Sequence, residues 1–273
     1  GNAGIVPVRN LIERLDVASV LDANIRVLKR HNPYFESDHI LNFVYNFLTG
    51  GEVINDIERL QEAEGILRIL GTERIPDPTT AGDFLVRFTE DDIQAFQRSL
   101  DQIQETAFSL LDRKRKQTAT IEHDSSIHEV YGQKKEGADH SYERTYSYQV
   151  QYVTLAETGD VLHQELQAGN CYSSSGLSEI LPGILDRVSK QFKHLRYRAD
   201  SASYDKAIVG VCENQGAKFY ISAEHTQRLI REILNIDEGE WKLCRSKQLS
   251  GARKNRSGKT RKKRKNHKKR IQN

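Results

Sequence analysis

Asp124 and Asp200 each close a short segment with strand character, TATIEHD at 118–124 and HLRYRAD at 194–200. Two carboxylates at adjoining strand ends repel each other unless a cation lies between them. Mg²⁺ suits such a pair, because it accepts one or two protein carboxylates and keeps its remaining positions for water and phosphate. A pair of such ions clamps the attacking and leaving oxygens of a phosphodiester during in-line displacement. The commoner fate of an aspartate at a strand end is to cap the turn that follows it. The chemical reading therefore depends on whether the fold brings these two distant residues together.

Other residues near the first aspartate carry weaker signals. His123 and His128 flank Asp124 and are able to orient a ligand or touch a phosphate. Loop histidines facing solvent are the more frequent case, and no i, i+4 pair with a third ligand supports zinc. Lys134 and Lys135 follow in a polar stretch and can steady DNA phosphates. Cys171, Cys212 and Cys244 fit no zinc spacing, and their odd number argues against a disulfide framework, so a reducing cytoplasm is expected.

The elements that must position the aspartates begin near residue 118. The segment 118–124 reads as a strand and 125–144 as a long loop. Residues 145–155 (TYSYQVQYVTL) alternate as a second strand, a turn at 157–160 follows, and 161–166 returns as a third. Residues 173–192 start with serines able to cap a helix and carry Leu177, Ile180, Leu181, Ile184, Leu185 and Val188 on one face, with a kink expected at Pro182. A fourth strand at 194–200, a helix at 204–214, a fifth strand at 217–223 and a helix at 224–234 complete the order β-β-β-α-β-α-β-α. Tyr142, Tyr146, Tyr148 and Tyr152 read as loop and strand aromatics. A three-strand meander followed by alternating helices and strands builds a mixed sheet with flanking helices. It is also the order of the ribonuclease-H-like fold, in which strand one pairs with strand four. That pairing sets Asp124 beside Asp200.

Residues 1 to about 115 read as a small helical region. Helices are expected over 9–20, over 39–48 with Asp38 as cap and Gly50-Gly51 as stop, and over 53–70. Pro76 and Pro78 break the chain, Thr79 or Thr80 caps a short helix, and Glu90-Asp91-Asp92 opens a long one reaching Leu111. Short helices joined by tight turns resemble helix-turn-helix modules as much as any small bundle.

The 273 residues are 37% hydrophobic, enough for one sizeable core and a smaller satellite. No apolar run is long enough to cross a membrane, and no signal-peptide pattern opens the chain. The chain starts at Gly1 and contains no Met, which suggests a fragment lacking its native start. Net charge is +3, but residues 245–273 hold 14 Lys or Arg and no acid. Of the 41 basic residues, 27 then remain against 38 acidic, so the rest of the chain carries −11. The basic segment reads as disordered, and its Lys262, Lys263 and Arg264 suit salt-sensitive phosphate binding without base stacking.

The stretch 121–132 (IEHDSSIHEVYG) with the following KKEG at 134–137 resembles the first catalytic block of bacterial DDE transposases. The branch it most resembles is the group-1 DDE domain of the insertion sequence 1380 family. TLAETG at 154–159, GN at 169–170 and RADSASY at 198–204 continue the similarity, with Ala199 where that family more often has glycine. The resemblance spans most of 38–245. It implies that Asp124 and Asp200 are the first two acids of a DDE triad, holding Mg²⁺, with Mn²⁺ as a substitute. It implies double-stranded DNA with terminal inverted repeats as substrate, target DNA as second partner, and a homodimer. A third acid, a glutamate, is expected on a late helix. Glu232, Glu238 and Glu240 follow the last strand, but none carries a matching motif. Truncation before that glutamate, with impaired activity, is the expectation.

The resulting division is a helical region at 1–115 for DNA-end recognition or dimerisation, an incomplete ribonuclease-H-like catalytic domain at 116–245, and a basic tail at 246–273. Two other readings use the same residues. One is a metal-dependent nuclease of this fold that never joins strands, and the other a non-catalytic DNA-binding or dimerising regulator.

Overall fold

The computed structural model describes residues 4–132 and 134–241. Lys262, Lys263, Arg264 and Cys244 lie outside the described residues.

The helical region is more finely divided than its hydrophobic spacing predicts. The expected helix over 9–20 is two, α1 (Ile5–Arg14) and α2 (Val17–Asn24), because Asp16 adopts a left-handed φ of 51° between them. In α3 (Glu36–Leu48), Asp38 is the third helical residue and not the cap, its carboxylate accepting the Phe35 N–H at 2.8 Å. Gly50, at φ 86°, ends that helix as expected. The run 53–70 breaks into a 3₁₀ turn (Ile54–Asp56), α4 (Ile57–Gln61) and α5 (Glu64–Leu70). The cap of α6 (Pro78–Leu85) is Asp77 and neither threonine. Its carboxylate accepts the Thr80 N–H at 3.0 Å, and Pro78 fills the first helical position, where a missing N–H costs nothing. Thr89 and Asp92 cap α7 (Glu90–Ser109) reciprocally. Ile5, Tyr45, Ile57, Leu60, Ile66, Ile75 and Ala81 form the core of this region.

Six strands follow: β1 (Thr118–Glu129), β2 (Asp139–His140), β3 (Tyr146–Leu155), β4 (Asp160–Ala168), β5 (His194–Ala199) and β6 (Lys218–Ile221). Between them lie α8 (Leu177–Ser189) and α9 (Lys206–Asn214). The sheet order is β2-β3-β1-β5-β6, with β4 also paired to β3. β1, β3 and β4 are antiparallel neighbours, while β1, β5 and β6 run parallel. Parallel strands need a crossover, and α8 and α9 supply the two connections. This is the ribonuclease-H-like arrangement, and the strand at 194–200 lies beside the first one as expected.

Alternation along the strands builds the core. Ala119 and Ile121 of β1, Val153 and Leu155 of β3, and Leu195 and Tyr197 of β5 turn towards Leu177, Leu181, Leu185 and Val188 of α8. Helix α8 runs through Pro182. Its Arg187 is a buried cation that bonds Asp101 at 3.1 Å, Gln104 Oε1 at 2.9 Å and the Leu162 carbonyl at 3.0 Å, tying α8 to α7 and β4. The serines at 173–175 do not cap this helix. Gly176, at φ 73°, precedes it, and the Ser173 and Ser175 carbonyls accept from the buried Gln151 amide at 3.0 and 3.1 Å.

The described residues up to Glu224 form one compact unit, and the described residues from His225 to Trp241 belong to a second. The second contains α10 (Gln227–Leu234), capped by Thr226, whose hydroxyl accepts the Leu229 N–H at 3.2 Å. No described helix is long and apolar enough to cross a membrane.

Candidate active site

Two strands fix the first aspartate. β1 does not end at Asp124, as its sequence suggested, but runs on to Glu129, because β3 pairs with it through Glu129↔Ser147. The segment expected as a loop from 125 thus begins as strand, and β2 interrupts it again. On its other side β1 pairs with β5 only as far as His123↔Ala199. Asp124 and Asp200 are the next residue on each strand. They stand one step beyond the last rung, on neighbouring parallel strands whose usual spacing is about 4.8 Å.

Both aspartates are exposed, and neither forms a salt bridge with a described residue. Asp124 accepts the Ser125 N–H at 2.8 Å. Asp200 caps the 3₁₀ turn Ser201–Ser203, accepting the Ala202 N–H at 2.9 Å. One carboxylate oxygen is thus engaged locally at each. The rung below carries Glu122 and Arg198, where the guanidinium bonds the carboxylate across β1 and β5. With more than half of Arg198 exposed, that ion pair adds little stability. Its value is that the Arg198 guanidinium is already engaged by Glu122, which leaves the aspartate pair open to an outside cation.

His123 departs from its expectation. It is a buried strand residue and not a solvent-facing loop histidine. Its Nδ1 lies 2.8 Å from the Ser203 Oγ, so it joins β1 to the turn that Asp200 caps. Its Nε2 has no hydrogen-bond partner, although the Ser173 backbone is close. Burial lowers the His123 pKa, and the charges of Asp200 and Asp124 oppose that shift. The ring is therefore neutral at pH 7 and shapes the floor of the site. Tyr197, also beneath the acids, has its hydroxyl buried without a partner, and burial raises its pKa. Asp200 also contributes, after Glu143, to raising the pKa of the exposed Tyr142, which brings the β2–β3 connection within electrostatic reach.

The remaining expected residues are not gathered here by the sheet. His128 is exposed further along β1, and Lys134 and Lys135 are exposed in the connection between β1 and β2. Glu232, Glu238 and Glu240 belong to the second unit. Among the described residues no group of three or more His, Cys, Asp or Glu has metal-binding geometry. Cys212 is free and buried, its pKa pushed up to about 11 mainly by burial, which makes it an inert core thiol.

Two residues quoted in the sequence only as parts of longer motifs, Ser203 and Gly169, turn out to have structural roles of their own. A Cβ on Gly169 would lie 2.2 Å from the Asp139 carbonyl and 2.3 Å from that of Ser147, so only glycine fits where β4 passes the β2–β3 rung. The need for the first had a readable signal, though not its identity: inward-facing Ala119 and Ile121 put His123 on the same face by period two, where it needs a buried partner.

The family model described as "Transposase DDE domain group 1" matches residues 1–267. The chain belongs to the group-1 transposase DDE domain family. No curated protein matches this DDE domain by sequence. Among solved structures, the piggyBac transposase synaptic complex with hairpin DNA is similar at 12% identity and a TM-score of 0.36, over 82% of this chain and 51% of that one. The Mos1 transposase paired-end complex with left transposon end gives 8% identity and 0.26, over 73% and 88% of the two chains. The Drosophila P element transposase strand transfer complex gives 13% and 0.25, over 64% and 49%. The DDE domain described here thus spans about half the length of the piggyBac transposase chain.

Proposed function

We propose that this domain belongs to the transposase of a bacterial insertion sequence of the 1380 family, working in the cytoplasm, and that Asp124 and Asp200 are its metal-binding acids. The reading takes as substrate double-stranded DNA ending in inverted repeats, with target DNA as second partner and a second copy of the chain as assembly partner. What supports it is the final β1–β5 rung, His123↔Ala199, which carries both aspartates to one edge of a transposase-family sheet.

The donor set suits Mg²⁺ or Mn²⁺. Both groups are hard oxygen ligands, both are exposed, and neither is neutralised by a described cation. Asp124 and Asp200 would hold the ion, which supplies Lewis-acid activation of water or a 3′-hydroxyl and charge neutralisation at the phosphate. The chain's own contribution is placement. The β1–β5 ladder sets the separation of the carboxylates, the Ala202 and Ser125 amides orient one oxygen of each, and neutral His123 braces the Asp200 turn through Ser203. Lys134, Lys135 and the basic Lys262, Lys263 and Arg264 would contact DNA phosphates, positioning the duplex without reading its sequence.

The deciding assay offers a duplex bearing the inverted repeat that flanks the reading frame, in Mg²⁺, in Mn²⁺ and in EDTA. Cleavage at the repeat boundary, slow because no third glutamate stands beside the pair among the described residues, is expected with either metal and not with EDTA. Asp124→Asn and Asp200→Asn are each expected to abolish it while unfolding at the wild-type temperature, since both side chains are exposed. Mg²⁺ should also raise the unfolding temperature of the wild type alone, because a ligand at about 100 times its Kd adds about 2.7 kcal/mol. Cleavage that persists in either variant, or a metal-induced shift that both retain, overturns the assignment.

A further inference from the structure

A cationic pocket lies in the helical region, built from residues other than the aspartates. A cavity of about 520 Å³ opens between the α2–α3 connection and α6. That volume falls within the range of about 300–1,000 Å³ usual for small-ligand pockets. Its rim carries Lys29, Arg30 and Arg87, and among the described residues none of the three forms a salt bridge. Asp83 is the single carboxylate in the lining. A net positive pocket in a body that carries −11 outside its basic segment attracts an anion.

The floor of the cavity is aromatic. His39 stacks on Phe84 with centroids 4.4 Å apart and planes at 8°, and Tyr34 meets His39 edge-on at 5.7 Å. The Tyr34 hydroxyl is already committed to the Ile75 carbonyl, at 3.0 Å. His39 is only 3% exposed, yet its Nδ1 has no hydrogen-bond partner. A polar atom buried without a partner destabilises the fold unless something completes it. Anion-binding side chains at the mouth, the Tyr34 ring in the wall and one unfilled hydrogen bond at the bottom match a nucleotide's phosphate, the face of its base and the edge of its base. They do not match a bare phosphate, which has no use for the wall, or an apolar ligand, which has no use for the cations.

We propose that this pocket binds one unpaired nucleotide of the DNA substrate, its phosphate on Lys29, Arg30 and Arg87 and its base against the half-buried Tyr34 with an edge bonded to His39 Nδ1. The proposal rests on the reading that the chain acts on DNA. It adds a site on the helical region that captures a frayed or single-stranded end and is separate from the aspartate pair.

Binding of the full chain to two labelled duplexes tests it, one blunt and one with a short single-stranded overhang, in EDTA so that cleavage plays no part. Blunt-duplex binding alone reports whether the chain binds DNA, so failure of that premise is visible by itself. The overhang should bind about tenfold more tightly, the effect of one base stacked on an aromatic surface. His39→Phe keeps the stack on Phe84 and removes Nδ1, and should erase the overhang preference while leaving blunt-duplex affinity unchanged. Should that buried variant fail to fold, Lys29→Ala with Arg87→Ala, both exposed, should lower the overhang preference and flatten its salt dependence. Equal affinity for both duplexes overturns the proposal. So does an overhang preference that survives these variants, or one abolished by free deoxynucleoside monophosphate at the overhang's own concentration, which would mark a mononucleotide site.

Discussion

Lowering the pH from 7.5 to 5.5 should destabilise this domain through His39, by an amount the structure bounds. The ring is buried, and burial is the first cause of its lowered pKa. The positive charge of Arg87 acts in the same direction, and Glu36, itself held by His31, opposes both. In the unfolded chain the group titrates near 6.5. The folded state therefore binds fewer protons than the unfolded state below that value, so stability falls as the pH drops through about 6.5 and levels off once the folded-state pKa is passed. If the folded ring stays neutral throughout, the loss at pH 5.5 is RT ln 11, roughly 1.4 kcal/mol, and at pH 7.5 it is below about 0.1 kcal/mol. The assay is urea unfolding of wild type and His39→Phe at half-unit pH steps. Other buried histidines, His123 among them, add to the slope of both proteins and cancel in the difference. The wild-type curve should fall relative to the variant by up to about 1.4 kcal/mol on going to pH 5.5. Parallel curves would refute the reasoning, showing that the ring takes up a proton in place or that its burial is relieved in solution.

Two further outcomes follow from buried contacts. Arg187→Met should lower stability by about 2–3 kcal/mol in the same urea assay, below the usual 3–5 for breaking a buried pair because Asp101 is one-third exposed and can be hydrated; a loss under about 1 kcal/mol would mean that α7 and α8 hold together without it. Gly169→Ala should cost about 1–3 kcal/mol, since its Cβ meets two backbone carbonyls that cannot rotate away. Hydrogen exchange should then rise first at Tyr146 and Ser147, and unchanged protection there would place the relief elsewhere.

The sheet was legible because its strands advertise period two and its connecting helix an apolar face, and from that order alone β1 and β5 become neighbours. The strand end at Asp124 was not legible. SSIHE after it is polar enough to read as loop, and only the length of β3 opposite keeps it extended. Helix starts were mistaken for a similar reason. Asp77, Asp38, Thr79 and Thr80 are all competent caps by type, and the choice among them depends on where Pro78 and Phe35 leave the backbone. The break at Asp16 carries no local signal at all, since an aspartate with a positive φ is permitted but not demanded by its neighbours. The helical-region pocket was invisible because its parts come from 28–39 and 80–87, and no pattern within either segment points at the other.

The last rung between β1 and β5 also sets what kinds of change the domain can survive over time. The acids owe their places to main-chain pairing, so exchanging one apolar residue for another around Ile121 or Tyr197 leaves them where they are. Gaining or losing a single residue within 118–124 or 194–200 is another matter, because it shifts the strand by one step and turns the carboxylate from the open side to the packed side. The connection at 130–138 sets no strand register and faces no such constraint, whereas the turn at 156–159 is held to β1 by Glu157, whose carboxylate accepts from the Thr120 N–H and hydroxyl. Drift in this lineage should therefore accumulate as substitutions within the two short segments and as insertions and deletions in the connection between β1 and β2.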